Sequence, residues 1–438
     1  MSNNNITKTS SAPPLKVNVV DAIMGSGKTT WIINKINQHE APRYIFVTPT
    51  LDEVERIKQQ CPKAEFKQPE LKEHGSKYFN FKTLVTEGEN IVTTHALFKL
   101  LTKEILSELT RQQYTLIIDE ALDCVEMYLG ITKADLQLLL KEGMVYVEAD
   151  TYRLRWNEKE HSNYKGKFDL TRTLCGNGNL VYYKDTTMLW EFPVEFLRVF
   201  KEVYILTYLF QGSAMANYLR ADNAEINMLT VQGYTCNGVD PMLVPYHLLD
   251  EKEIKDIIRP LINIYEGSSN AIGDSKPKMN PLSSSWYKRA TVDDLQAIKS
   301  GLYNFFNNHI KSKSEHNAWT TFKDYRSKLS GKGFAKGFLP NNLRATNDYI
   351  EKKTAAYTCN TFYHPTIRNY FADRGVTVYE DIYALSEMLQ FLWRFQIRRH
   401  DPVNLYIPSQ RMRELLKVWL KANTADELFK GLGYVNPQ

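Results

Sequence analysis

What this 438-residue chain has little of narrows its class before any motif is read. Its five cysteines (Cys61, Cys124, Cys175, Cys236 and Cys359) are odd in number, scattered, and contain no C-x-x-C pair. That argues against a disulfide framework and against a zinc site, and fits a reducing compartment. No apolar run approaches the length of a bilayer span, so no membrane partner is expected. The opening MSNNNITKTSSAPP has no apolar signal core; residues 1–14 read as a disordered tail on a cytoplasmic protein. Net charge is only +5, from 55 Lys and Arg against 50 Asp and Glu. The chain is therefore no polycation, and any affinity for nucleic acid has to sit in local patches. No short fixed-period repeat is present, which excludes a solenoid. What is there is an ordinary globular composition, 43% hydrophobic and 24% charged, with generous aromatics: 26 Tyr, 20 Phe and 7 Trp. A chain of this length exceeds one core, so two or three domains are expected.

Short apolar runs alternate with amphipathic helical stretches. KVNVVDA, RYIFVTPT, NIVTTHALFKLL and YTLIIDEALD each read as a strand ending in polar residues, and KTTWIINKINQH and LDEVERIKQQC as helices. This alternation predicts an α/β fold with a doubly wound parallel sheet, whose ligands bind beyond the C-terminal strand ends. From about 130 to 200 the rhythm breaks; MVYVEADTYRLRWN and NLVYYKDTTMLWEF look antiparallel and are read as a β-rich insertion. The pattern resumes at EVYILTYLFQGS. The Gly- and Ser-rich stretch 266–285 reads as a mobile loop, and NAWTTFKDY, TAAYTCNTFYHP and VNLYIPS as strands of a second α/β unit.

AIMGSGKTT at 22–30 meets the phosphate-loop pattern through Ala22, Gly27, Lys28 and Thr29. Gly25 and Gly27 allow the tight fold that points successive N–H groups at phosphate oxygens. Met24, Gly25, Ser26, Gly27, Lys28, Thr29 and Thr30 are the expected ATP-binding set. Lys28 reaches the β- and γ-phosphates, and the Thr29 hydroxyl ligates Mg²⁺. A plain glycine turn with a solvated lysine is the competing account, and the strand before and helix after weigh against it. Asp119 and Glu120 end the apolar run LIIDEALD; Asp119 can hold Mg²⁺ through water, and Glu120 can polarise the water that attacks the γ-phosphate.

In YALSEMLQFLWRFQIRR, at about 100° per residue, Leu385, Met388, Leu392 and Phe395 form an apolar stripe. Gln390, Arg394 and Arg398 then fall almost opposite, which would present two guanidinium groups to a triphosphate. Arg399 would turn back toward the apolar side, making Arg398 the better second finger. A core helix with two solvated arginines is the alternative. Residues 310–338 carry seven Lys and Arg against two Asp and Glu, with interleaved aromatics. Trp319, Lys323, Arg326 and Lys332 are candidates there for gripping a single strand by charge and stacking, against the alternative of a solvated basic loop.

Together these motifs resemble the superfamily 2 helicases, the DExD/H group of nucleic-acid motor ATPases, and among them the compact bacteriophage-encoded helicase-like proteins. AIMGSGKTT is similar to motif I, VTPT to motif Ia, IIDEAL to motif II, ILTYLFQGS to motif III and QFLWRFQIRR to motif VI. IVTTHAL looks like the strand-contacting motif that follows Ia. AAYTCNTFYHP is favoured over RATNDY as motif V. The departures are specific. Motif II ends in Ala-Leu, Thr207 is followed by Tyr208, and Trp393 stands where motif VI usually has glycine. Ile397 occupies the usual place of the second arginine, with Arg398 next. No adenine-reading glutamine motif lies upstream of residue 19.

The resemblance implies two RecA-like lobes with parallel sheets, 15–235 carrying the insertion and 236–438, closing on Mg-ATP and gripping nucleic acid. By that analogy Thr48, Pro49, Thr94 and His95 line the first lobe's strand track, against ordinary turn and capping chemistry. The expectation is an ATP-dependent DNA helicase or translocase in the host cytoplasm. It acts on single-stranded or forked DNA, has replication proteins as partners, and is favoured as a monomer. A nucleotide-switched loading protein and a terminase-like packaging ATPase are the alternatives.

Overall fold

The strands that end in polar residues are the ones the chain buries most completely. The computed structural model describes residues 14–38, 43–71, 75–233, 240–276, 279–341 and 348–436; nearly all of the 1–14 tail therefore lies outside the described residues. The first strands are β1 (Lys16–Asp21), β2 (Tyr44–Thr48), β3 (Ile91–Thr94) and β4 (Thr115–Asp119). Their near-continuous burial is that of strands covered on both faces. After the inserted strands β5 (Val125–Met127), β6 (Val145–Val147), β7 (Leu154–Trp156), β8 (Leu180–Tyr183) and β9 (Thr187–Glu191) come β10 (Glu202–Thr207), β11 (Glu225–Gln232) and β12 (Met242–Pro245). A seven-stranded sheet results, ordered β12-β11-β1-β10-β4-β2-β3. Its β10, β4, β2 and β3 pair in parallel, and β11 with β12 antiparallel. Register sets Leu206 beside Asp119 and Thr48 beside Thr94, so polar strand ends share one edge of the sheet.

A second sheet is built from β13 (Ile262–Ile264), β14 (Asn317–Thr320), β15 (Thr354–Tyr357) and β16 (Val403–Tyr406). Its order is β13-β16-β15-β14, with every pair parallel. Its core gathers Trp286, Tyr287, Leu302, Phe305, Phe306, Trp319 and Tyr406. The α/β class, with parallel strands in both large sheets, an antiparallel β11–β12 edge on the first, and an insertion, is thus what the chain forms. AAYTCNTFYHP is, as expected, a strand running into polar residues, whereas most of RATNDY lies outside the described residues.

The chain divides into two compact units that do not follow a single cut. One takes residues up to Val19, Ile32–Asn227 and His364–Val378; the other takes Val20–Trp31, Met228–Tyr363 and everything from Tyr379. The phosphate-loop stretch therefore groups with the C-terminal half, and a short segment after β15 groups with the N-terminal half.

The insertion is less purely β than its sequence suggests. β5, β9 and β8 form one antiparallel sheet and β6 with β7 another, but helices Lys133–Lys141 and Asp169–Asn177 pack with them. The second of these, DLTRTLCGN, is rich in poor helix formers, and ends on Gly178 at φ +81°. Within the compact unit that holds the insertion, Arg153 donates to Glu191 at 2.6 Å, and Tyr370, from the segment after β15, donates to the other Glu191 oxygen, all nearly buried. The 266–285 loop expectation gives way to a partly pinned segment. Ser268–Gly273 forms a tight 3-10 turn in which a side chain on Gly273 would come within 2.1 Å of the Pro408 carbonyl. No helix among the described residues is long and apolar enough to cross a membrane.

Candidate nucleotide site

β1 ends at Asp21, and the helix Lys28–Gln38 starts at Lys28, which leaves six residues for the connecting loop. Gly25 at φ +85° and Gly27 at φ +91° both take the left-handed conformation that only glycine adopts cheaply. The turn closes by a 3.2 Å bond from the Ser26 N–H to the Ile23 carbonyl, and the helix opens with Trp31 N–H to Gly27 O at 2.8 Å. Lys28 is buried; its ammonium folds back over the loop and donates to the carbonyls of Ala22 and, at 3.1 Å, Ile23. Ser26 Oγ is buried with no hydrogen-bond partner. A buried orphan hydroxyl beside a glycine nest, a lysine and a helix start fits a phosphate group. Thr29 and Thr30 are half-exposed on the first helical turn and Met24 half-buried before the glycines.

In the other unit, Asp119 closes β4 between β10 and β2. Glu120 then turns the chain with φ +65°, its N–H bonded to the Leu206 carbonyl at 2.8 Å. A glutamate in that region costs about 1 kcal/mol or more and persists only where the surroundings impose it, as at many functional sites. His95 starts the helix His95–Phe98, and its Nε2 lies 2.8 Å from the Asp119 carbonyl oxygen. It is therefore turned toward the acidic strand end rather than presented wholly to a strand track.

The arginine segment departs from its expected geometry. The helix Glu380–Leu392 ends at its cap Trp393 (φ −72°, ψ 1°), and Phe395 is extended (φ −98°, ψ −176°) before a short 3-10 turn, Gln396–Arg399. The alignment of Gln390, Arg394 and Arg398 on one helical face is thus corrected. Gln390 is half-buried on the last helical turn, Arg394 is buried in the turn, and Arg398 is exposed beyond it. Arg399 is also exposed and pairs with Glu351 at 2.5 Å. The apolar stripe of Leu385, Met388, Leu392 and Phe395 is fully buried, as its spacing predicts.

Trp393, which the spacing argument passed over, connects this turn to the phosphate loop. Its indole Nε1 donates to the Met24 carbonyl at 3.1 Å, within one compact unit. The signal was present in the sequence as a tryptophan where the resembling pattern has glycine.

Two of the proposed strand contacts, Trp319 and Thr48, are corrected by burial. Trp319 is fully buried in β14 against Phe334 and Phe338, so its ring cannot stack on a base. Thr48 is fully buried, and its hydroxyl donates to the Thr50 carbonyl at 2.9 Å. Thr94 caps the next helix, accepting from the Leu97 N–H at 3.4 Å, while remaining half-exposed like Pro49. Lys323, Arg326 and Lys332 are exposed, with Arg326 lying 4.8 Å from the centre of the Phe338 ring.

Comparisons with known proteins bear on the whole chain. Residues 256–420 match the family model of the YonV C-terminal Rossmann-like domain, and residues 125–190 that of the YonV middle domain, which is the segment holding β5 to β9. YonV, an SPbeta prophage-derived protein of Bacillus subtilis (strain 168), is 38% identical over 417 residues, covering 93% of this chain and 99% of its own. Solved structures similar to this one include an apo XPD, at 12% identity and a TM-score of 0.48 with 96% of each chain covered. Another is Xpd4 of S. tokodaii, at 11% identity and 0.46, covering 92% of this chain and 93% of that one.

Proposed function

The chain belongs to the YonV family, and from that premise we propose that it is an ATP-dependent motor of the helicase type. It couples hydrolysis of Mg-ATP to movement on single-stranded DNA or to opening of a duplex, in phage replication or recombination. The observation that carries this reading is the loop between β1 and its helix: two left-handed glycines, an orphan buried hydroxyl and a lysine folded over the loop carbonyls.

In this reading the backbone N–H groups around Gly25 and Gly27 bind the β-phosphate, and Lys28 exchanges its carbonyl partners for phosphate oxygens. Thr29 would offer a hydroxyl and Asp119 a carboxylate to Mg²⁺, which would supply charge neutralisation on the phosphates when bound. Glu120 orients the attacking water and takes its proton. Arg394 stabilises the charge that develops on the transferring group, being buried where a guanidinium acts most strongly. Lys323, Arg326 and Lys332 grip the backbone of a single strand.

A second reading, a nucleotide-switched DNA-binding or loading protein, is favoured by one observation: the helix ends before Arg398, so the two arginines do not share a face. Hydrolysis of ATP measured alone and with single-stranded DNA, duplex DNA and RNA separates the two. The motor reading expects strong stimulation by single-stranded DNA. Hydrolysis that no nucleic acid stimulates contradicts it and supports the switch.

A further inference from the structure

Trp393 occupies a position that the proposed phosphate chemistry leaves without a role, yet it is the residue bonded to the loop. We propose that Trp393 is a positioning residue whose indole N–H fixes the Met24–Gly25 peptide and so aims the Gly25 N–H for binding an anionic polyphosphate. This inference rests on the reading of the loop as a nucleotide site.

A trans peptide is planar, with its C=O and N–H pointing in opposite directions. Since the Met24 carbonyl points at the Trp393 indole at 3.1 Å, the Gly25 N–H is directed away from it. That peptide is the central one of the turn closed by the Ser26 N–H and the Ile23 carbonyl, and such a peptide can flip while the closing bond is kept. Gly25 sits at φ +85° with no atom within 4 Å of where a side chain would begin, and glycine takes either hand of φ at little cost. Left alone, the peptide is free to flip and to replace a donor by a carbonyl facing the phosphate.

The side chain that restrains it is itself held firmly. Trp393 is buried, with its ring edge-to-face against Trp419 at 5.5 Å. The Lys255 ammonium covers the Trp419 ring at 4.6 Å, and is fixed by the Trp419 and Ala422 carbonyls and by Glu251 at 2.8 Å. Trp393 also caps the helix Glu380–Leu392 through its own backbone N–H to Leu389 O at 2.9 Å, and Arg394 follows directly. One residue thus holds the loop peptide and begins the arginine turn.

The test compares wild type, Trp393→Phe and Lys28→Ala by calorimetry with MgADP and with inorganic pyrophosphate. Trp393→Phe keeps an aromatic ring against Trp419 while removing the N–H donor and the outer part of the indole. The expected result is a loss of about fivefold for both probes, the value of a single neutral hydrogen bond. Wild-type affinity in Trp393→Phe, or a loss for MgADP that pyrophosphate does not share, overturns the proposal. If wild type binds MgADP and Lys28→Ala does not, the nucleotide reading stands whichever way Trp393→Phe behaves; if wild type binds neither probe, that reading falls first. Should Trp393→Phe fail to fold, the indole ¹⁵N–¹H spectrum of a Trp31→Phe protein takes its place. Movement of the assigned Trp393 indole signal on adding MgADP supports the proposal, and a Trp393 signal that does not move contradicts it.

Discussion

The loop of residues 22–27 and the turn of residues 393–400 are joined by the Trp393–Met24 hydrogen bond, but they owe their shapes to different forces. In the loop the determinants are local: Gly25 and Gly27 accept left-handed φ, and the closing bonds span only a few residues. In the turn they are distant. Phe395 swings into extended backbone, the Gln396 N–H reaches the Lys352 carbonyl at 3.2 Å, and the Gln396 side chain donates to the Pro402 carbonyl. A mostly local element is legible in its own residues, except where a distant side chain such as Trp393 holds one of its peptides. An element held by remote partners takes a geometry that spacing alone does not encode.

The largest effects expected are on hydrolysis. Lys28→Ala should lower turnover about a thousandfold and weaken nucleotide binding as well. Arg394→Ala should lower turnover comparably while leaving MgADP affinity within about twofold, and Arg394→Lys should not rescue it, because a point charge lacks the fork of donors. If Arg394→Ala loses binding as Lys28→Ala does, the turn and the loop are not distinct in role and the comparison breaks. Next in size is Trp319→Ala, which should cost about 3–5 kcal/mol in urea unfolding, as for other buried aromatics. A variant of normal stability would contradict its place in the core.

Smaller effects sharpen the account further. Arg398→Ala, exposed and off the helical face, should reduce turnover by about tenfold or less, the range of an exposed charge-assisted contact. Replacing Lys323, Arg326 and Lys332 together by Ala should leave the thermal midpoint unchanged and flatten the log–log salt dependence of single-strand binding by about two. An unchanged slope removes that surface from the strand path. Smallest is a chemical check. Burial pushes the Cys61 thiol up to about 11 and the Cys175 thiol to about 12, and raises Cys124 and Cys359 as well. At pH 8 these stay protonated, so Ellman's reagent should find at most one of the five cysteines before denaturation. Two or more reactive thiols in the native protein would contradict the packing.

Where glycines and strand ends set the local structure, the elements lie where the residues put them. The phosphate loop, the Asp119–Glu120 strand end and the parallel sheets all lie where apolar period and turn residues put them. Residue-by-residue reading failed at Arg398, because a wheel drawn at constant twist cannot foresee the end of the helix at Trp393. It failed at Trp319 and Thr48 for another reason: a polar or aromatic residue in a basic or Thr-Pro stretch looks exposed until a parallel strand buries it on both faces. Trp393 was visible as an oddity, but its partner lies 369 residues away in the chain, and no local rule connects the two.

The central claim is that the Lys28 loop and the Arg394 turn act on one transferring phosphoryl group. The direct measurement is the affinity of MgADP with and without aluminium fluoride, a mimic of that group in flight, in wild type and in Arg394→Ala. The account predicts that aluminium fluoride tightens binding strongly in wild type and that Arg394→Ala erases the gain while still binding MgADP. An equal gain in both proteins, or none in wild type, contradicts it.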